Sequence, residues 1–323
     1  MTPPQYRFTC PAILLLAQLF IASGAFAQGA TPTPTPTPPP SPVSGMRNKI
    51  SAGDLLSAES ILEAHLTKNG KDGPWLVGLS WLARGALLVG DTGKAEYYVS
   101  QVRAHCADRI RGGADPSKDR ELEIALGAAI EVKTQLLERS LDANEAAEYL
   151  RRELATVKSP TSLVSRLYKR LNILTLSGTT APELVVEDFI GHSPPTLASL
   201  RGRPILLFVW AEWCGDCKAQ VASLAQMQSR YADKGLQVVT LTRYYDEEPD
   251  RAREKERIDS VWTAVYSELG SVPIVLSTAS MERYGGSSTP TFVFLDRAGI
   301  VQRYTPTRLT EAELIRTLDQ LVD

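Results

Sequence analysis

Cys214 and Cys217 stand two residues apart in the stretch FVWAEWCGDCK, residues 208–218. Such a pair can exchange electrons, supply part of a metal site, or staple a turn. A structural zinc takes four ligands, and this spacing supplies two. The histidines are His65, His105 and His192, and no second CxxC follows, so a metal site lacks its other half. A disulfide closing so tight a loop restrains little of the unfolded chain and adds little stability. Electron exchange suits the surroundings better. A first cysteine at a helix N-terminus gains from free N–H groups and the macrodipole, which favour its thiolate. Two intervening residues let the second sulfur reach back within one turn. In that arrangement Cys214 attacks and Cys217 releases the mixed disulfide.

The elements that must position this pair follow from the pattern around it. Residues 204–210 (PILLFVW) form a continuous apolar run, as expected of a strand buried on both faces. A helix is expected over 214–233, a strand over 236–242, a charged amphipathic helix over 248–269 and a strand over 272–276. A short helical turn at 281–284 and a hairpin of 291–295 with 300–304 come next, and a helix over 310–322 closes the chain. A short strand at 183–187 precedes them. Strands alternating with helices argue for a central sheet covered on both faces. The charge run RAREKERID, 251–259, alternates in sign and reads as a solvated helix face.

Upstream the grammar differs. From Met46 to Leu176 the pattern is helical, and SGTTAP (177–182) breaks it, setting a boundary between domains 46–177 and 178–323. Within the helical part Asp54, Asp91 and Asp142 are each followed four residues later by Ala58, Ala95 and Ala146, and four later again by Leu62, Val99 and Leu150. Aspartate can cap a helix start, and alanine one turn on permits close helix contact. With Gly90-Asp91 as a turn, Leu79, Leu82, Ala83 and Ala86 fall on one helix and Ala95, Val99 and Val102 on the next. The spacing resembles the 34-residue tetratricopeptide unit, with unequal intervals and with Ala107 where that unit has proline. A generic helical bundle is the alternative. Cys106 stands alone in this part and reads as a small buried apolar residue.

The first residues read as an export signal, 1–27: Arg7, the apolar segment AILLLAQLFI (12–21), and small residues at Ala25 and Ala27. The apolar segment is shorter than the roughly 20 residues of a spanning helix; retention as an uncleaved anchor is the alternative. Cys10 would leave with the signal. TPTPTPTPPPSP, 31–42, cannot join a core, and the stretch 28–45 is expected to be an extended spacer at about 3.1 Å per residue.

The segment WAEWCGDCK resembles the active site of thioredoxin, with Trp210, Ala211, Trp213, Gly215 and Lys218 in register, and Ser288-Thr289-Pro290-Thr291 precedes a strand as in that fold. The stretch APELVVEDFIGHSPPTLASLRGRPILLFVWAEWC and the additional helical stretch between Asp246 and Gly270 are similar to exported TlpA/ResA-type thiol–disulfide reductases. The resemblance covers 178–323. It implies a thioredoxin-like α/β domain behind an all-α domain, a cis Pro290 facing the disulfide, and a groove shaped by Trp213, Gly215, Asp216, Thr289 and Pro290. It also implies protein disulfide or thiol substrates, a membrane donor of thiol electrons, and export to the bacterial periplasm. Since the electrons reside in two sulfurs, no cofactor or metal is implied.

The chain departs from that family in four places. Phe208 stands where thioredoxin has a buried acid, Gln220 where TlpA/ResA-type proteins often have glutamate, and Ala222 where the helix proline is usual. Two groups that would help move the proton of Cys217 are absent. Asp216 replaces the usual proline, and its charge should raise the Cys214 pKa against the helix dipole, which leans toward a reductant. A peroxiredoxin would need threonine at Ala211. A second functional reading is an exported adaptor that binds a protein partner through its helical repeats, with a redox module of little turnover.

Composition excludes other classes. Of 323 residues, 43% are apolar and 22% charged, with a formal net charge of −2. No basic run is available to hold phosphates, so nucleic acid is not a partner.

Overall fold

The computed structural model describes residues 41–140, 143–157, 159, 161–246 and 250–322. The export segment and nearly all of the proline tract lie outside the described residues. The helical part comprises α1 (Val43–Ser51), α2 (Leu55–Asn69), α3 (Gly73–Leu88), α4 (Thr92–Arg111), α5 (Arg120–Ser140), α6 (Ala143–Thr156) and α7 (Thr161–Thr175). Helix α1 begins at Val43, inside the stretch expected as spacer. Pro42 already has helical φ and ψ, since its ring fixes φ near the helical value, and Met46 is fully buried.

Helix α3 is the hub, contacted by α1, α2, α4 and α5. Its sequence GPWLVGLSWLARGALL is apolar on nearly every side, as a helix surrounded by others must be. Aspartates cap successive starts: Asp54 accepts from the Ser57 N–H, Asp72 from Trp75, Asp91 from Lys94 and Asp119 from Leu122. Asp142 lies outside the described residues. Ala58, Ala95, Ala146 and the aliphatic residues one turn beyond are buried. The three histidines are dispersed: His65 bonds Asp72, His105 meets the Trp75 edge, and His192 neighbours Ser271. Cys106 is buried in the helical core, and burial pushes its thiol up to about 12.

The α/β part is built on a sheet of β1 (Asp188–Ile190), β2 (Ile205–Val209), β3 (Gln237–Thr242), β4 (Ile274–Leu276), β5 (Thr291–Leu295) and β6 (Val301–Thr305), in the order β1-β4-β3-β2-β5-β6. Strands β2, β3 and β4 are parallel; β1, β5 and β6 pair antiparallel. Every residue of β2 is buried. Leu206 and Phe208 face one apolar cluster, with residues of α9 (Val221–Arg230), α10 (Arg251–Val265) and α12 (Glu311–Val322). Ile205, Leu207 and Val209 face the other, with Met281 of α11 (Thr278–Arg283) and Leu176.

The connector after α7 follows the outer edge of β6: Gly178 N–H bonds Val301 O, Val301 N–H bonds Thr179 O, and Ala181 N–H bonds Gly299 O. The strand expected at 183–187 is not formed. Val185 exchanges both backbone bonds with the Ser280 hydroxyl, and Glu187 accepts from the N–H groups of Thr278 and Ala279. With its backbone satisfied by side chains, the segment needs no ladder, and pairing begins at Asp188. The helix expected over 214–233 is broken in two. It starts as α8 (Gly215–Lys218) and resumes as α9, with tight turns at Ala219 and Gln220 between them.

Candidate active site

Strand β2 delivers the chain to the site. Trp210 N–H continues the ladder to Leu241 O, and a turn closed by Cys214 N–H to Ala211 O sets Cys214 at the tip of α8. Cys214 is the N-cap of that helix, its Sγ accepting the Cys217 N–H at 3.1 Å. A disulfide joins Cys214 to Cys217, with Cα atoms 5.3 Å apart. Cys214 keeps 5% of its surface exposed and Cys217 none, so an incoming sulfur can meet only the first.

Facing it, the Thr289–Pro290 peptide is cis, and Thr289 O lies 3.4 Å from Cys214 Sγ. Trp213, Asp216, Thr289, Pro290 and Arg308 line a shallow groove of about 360 Å³. Trp213 is 64% exposed and meets Tyr245 edge-on with centroids 5.6 Å apart. Gly215 opens α8. Of the residues expected from the sequence, Trp213, Asp216, Thr289 and Pro290 line the groove, Cys214 and Cys217 form the disulfide beside Thr289, and Gly215 lies between Cys214 and Asp216 without lining the groove.

Three partners escape sequence reading. Arg308 pairs with Asp216 at 3.3 Å, so the Asp216 charge does not act on Cys214 alone. Glu212, in the turn before Cys214, is 7% exposed; Arg257 Nε donates to its Oε1 at 2.6 Å, while Oε2 is buried with no hydrogen-bond partner among the described residues. Lys169 reaches from α7 and donates to Ser288 Oγ at 3.1 Å. These contacts join chain segments far apart in sequence, so no local periodicity announces them.

The departures have structural counterparts. Phe208 is fully buried, packed against Tyr266 and Phe292. Gln220 is also buried, its Oε1 accepting the Leu309 N–H at 2.7 Å, a link that ties the break between α8 and α9 to the start of α12. The charge run on α10 is not wholly solvated. Glu254 is fully buried, accepting from the N–H groups of Tyr245 and Asp246, because two loop donors need an acceptor there. Hydrogen bonds to Asp246 and Glu212 raise the Arg257 pKa and hold it protonated.

Known proteins resemble the C-terminal part of this chain. Residues 176–314 match the Redoxin family. The thioredoxin-like protein YneN of Bacillus subtilis is 26% identical over 153 residues, covering 47% of this chain and 84% of YneN. The thiol–disulfide oxidoreductase ResA of Bacillus cereus is 26% identical over 124 residues, covering 38% of this chain and 66% of ResA. Among solved structures, a thioredoxin-family thiol:disulfide interchange protein from Chlorobium tepidum is 18% identical with a TM-score of 0.35, covering 46% of this chain and 97% of its own. The C-terminal part of the chain is thus a redoxin-type, thioredoxin-like domain of the TlpA/ResA kind, homologous to thiol–disulfide oxidoreductases and carrying their CxxC pair.

Proposed function

We propose that this chain is an exported thiol–disulfide oxidoreductase that reduces disulfides in protein substrates. The supporting observation is the asymmetry of its two sulfurs: Cys214, slightly exposed and 3.4 Å from the carbonyl of the groove residue Thr289, and Cys217 sealed behind it. In the reduced form the Cys214 thiolate attacks one substrate sulfur. The substrate S–S bond breaks, and its other sulfur leaves as a thiolate and takes up a proton. Cys217 then loses its proton and attacks Cys214 Sγ, releasing the second substrate thiol and closing Cys214–Cys217. Two electrons have passed to the substrate, and a dithiol donor at the membrane restores the pair.

Trp213 is the apolar wall of the groove, and the backbone of Thr289 beside Pro290 receives an extended substrate segment. Export rests on the sequence of residues 1–27, and the proline tract is a spacer between the membrane side and the folded chain. The helical part is repeat-like, a build suited to holding a protein partner. A second reading, an adaptor with slow redox turnover, is favoured by one observation: Phe208 fills with aromatic packing the place where a buried acid would assist Cys217.

The deciding experiment equilibrates the purified protein against a dithiol couple of known potential. A value near about −270 mV or below supports a reductase, whereas one near about −120 mV makes the protein a disulfide donor and overturns the direction. Retention of the biological role by the Cys214→Ser, Cys217→Ser double variant would replace the enzyme with the adaptor.

A further inference from the structure

The loop that carries the cis proline is held from outside its own domain. Helix α7 lies against residues 283–288 through consecutive contacts on one face. Tyr168 lies under the Arg283 guanidinium, 5.5 Å from its ring centroid. Asn172, buried, donates from Nδ2 to Arg283 O at 2.9 Å. Lys169 Nζ donates to Ser288 Oγ at 3.1 Å. Between these, Gly285 has φ +67°, and a Cβ there would lie 2.4 Å from Lys169 Cα. Side chains do not fit at that distance, and the positive φ disfavours them independently. The loop is shaped to accept the backbone of α7.

Ser288 is the residue before Thr289, whose carbonyl touches Cys214 Sγ. The Ser288 carbonyl accepts the Thr291 hydroxyl at 2.8 Å, fixing the loop at the mouth of β5. Ser288 thus bonds on two sides, to β5 through its backbone and to α7 through its side chain. Burial, with Arg166, Arg170 and Arg84 nearby, holds the Lys169 ammonium below its ordinary pKa despite Glu131. A cation in that setting gains from a fixed acceptor, and Ser288 supplies one.

We propose that Lys169 is a positioning residue for substrate capture: through Ser288 it fixes the Thr289–Pro290 edge of the groove, so that the helical part is a structural component of the substrate site. This rests on the exchange reaction proposed above. A protein substrate uses the backbone edge at Thr289, whereas a small aromatic disulfide needs only access to Cys214. Loss of the Lys169–Ser288 bond should therefore weaken reaction with the first and spare the second.

The full chain is reduced and assayed with insulin and with 5,5′-dithiobis(2-nitrobenzoate). Lys169→Met is expected to lower kcat/KM for insulin about tenfold, the loss of one charge-assisted hydrogen bond, mainly through KM. The rate with the small disulfide and the equilibrium of the Cys214–Cys217 pair should stay within about twofold. Lys169→Arg should keep most of the activity, Ser288→Ala should reproduce the loss, and the double variant should be no worse than either single one. An unchanged rate with insulin, equal losses on both disulfides, or additive losses in the double variant would overturn the assignment. Should Lys169→Met not fold, Ser288→Ala, which leaves α7 intact, decides alone. Wild-type protein that reduces neither disulfide removes the exchange reaction itself, an outcome distinct from an active wild type that Lys169→Met leaves unaltered.

Discussion

Arg257 grips Glu212 across 2.6 Å, binding α10 to the turn that presents Cys214. The same guanidinium donates to Asp246 at 2.8 Å. A single side chain therefore fastens the turn, the loop after β3 and α10 together. Replacing it by leucine strands a buried carboxylate. Arg257→Leu is expected to cost about 1–3 kcal/mol, below the roughly 3–5 kcal/mol of a fully buried pair because Arg257 is partly exposed. Adding Glu212→Gln should return part of that loss. Urea midpoints of the single and double variants measure both effects.

The sulfurs should separate cleanly by variant. Cys217→Ser leaves Cys214 able to attack and nothing to resolve, so mixed disulfides with protein substrates should accumulate on gels run without reductant. Cys214→Ser should give none, because Cys217 has no exposed surface. Adducts on Cys217 would contradict the assigned order of attack.

Arg308 balances Asp216 at the rim of the groove. Arg308→Gln leaves the aspartate charge uncompensated near the Cys214 thiolate and disfavours the reduced form. The potential should move to more negative values by about 10 mV, given about 0.5 kcal/mol for an exposed pair. Asp216→Asn should move it the other way. Redox titration of the three proteins tests the signs.

In the helical part Glu131 sits between Arg166 and Arg84. Burial alone would raise its carboxyl, but the Arg166 hydrogen bond and charge, with Lys169 and Arg84, bring it below the ordinary glutamate value. A depressed carboxyl stabilises the fold above its unfolded pKa, and that stability is lost as pH falls through the folded value. Wild type should exceed Glu131→Gln by on the order of 2 kcal/mol at neutral pH. The gap should shrink in acid, below the ordinary carboxylate range. Thermal melts across pH report the difference directly.

Much of this site lies in plain view in the sequence because its parts are contiguous. An apolar run, two cysteines and a helix start fix Cys214 at the end of β2, and Thr289-Pro290 before β5 is equally local. What stays hidden depends on long-range pairing. Glu212 and Arg257 are 45 residues apart, Asp216 and Arg308 are 92, and Lys169 and Ser288 are 119. The strand expected at 183–187 misled for a related reason. Val185 and Val186 have β character, yet Ser280 satisfies the backbone of Val185 and both valines remain partly exposed. Glu254 looked like one charge in a solvated run; its burial follows from loop donors that no helical period reveals.

The connector that runs from α7 along β6 also bears on how the chain could be divided. Its bonds to Gly299 and Val301 cover the first part of the outer edge of β6. A fragment beginning at Pro182 would keep both cysteines and the cis-proline loop, yet bare a strand edge of unpaired donors and acceptors. Such edges recruit other strands. The isolated redox half would then fail through self-association, a loss of solubility arising before any loss of chemistry.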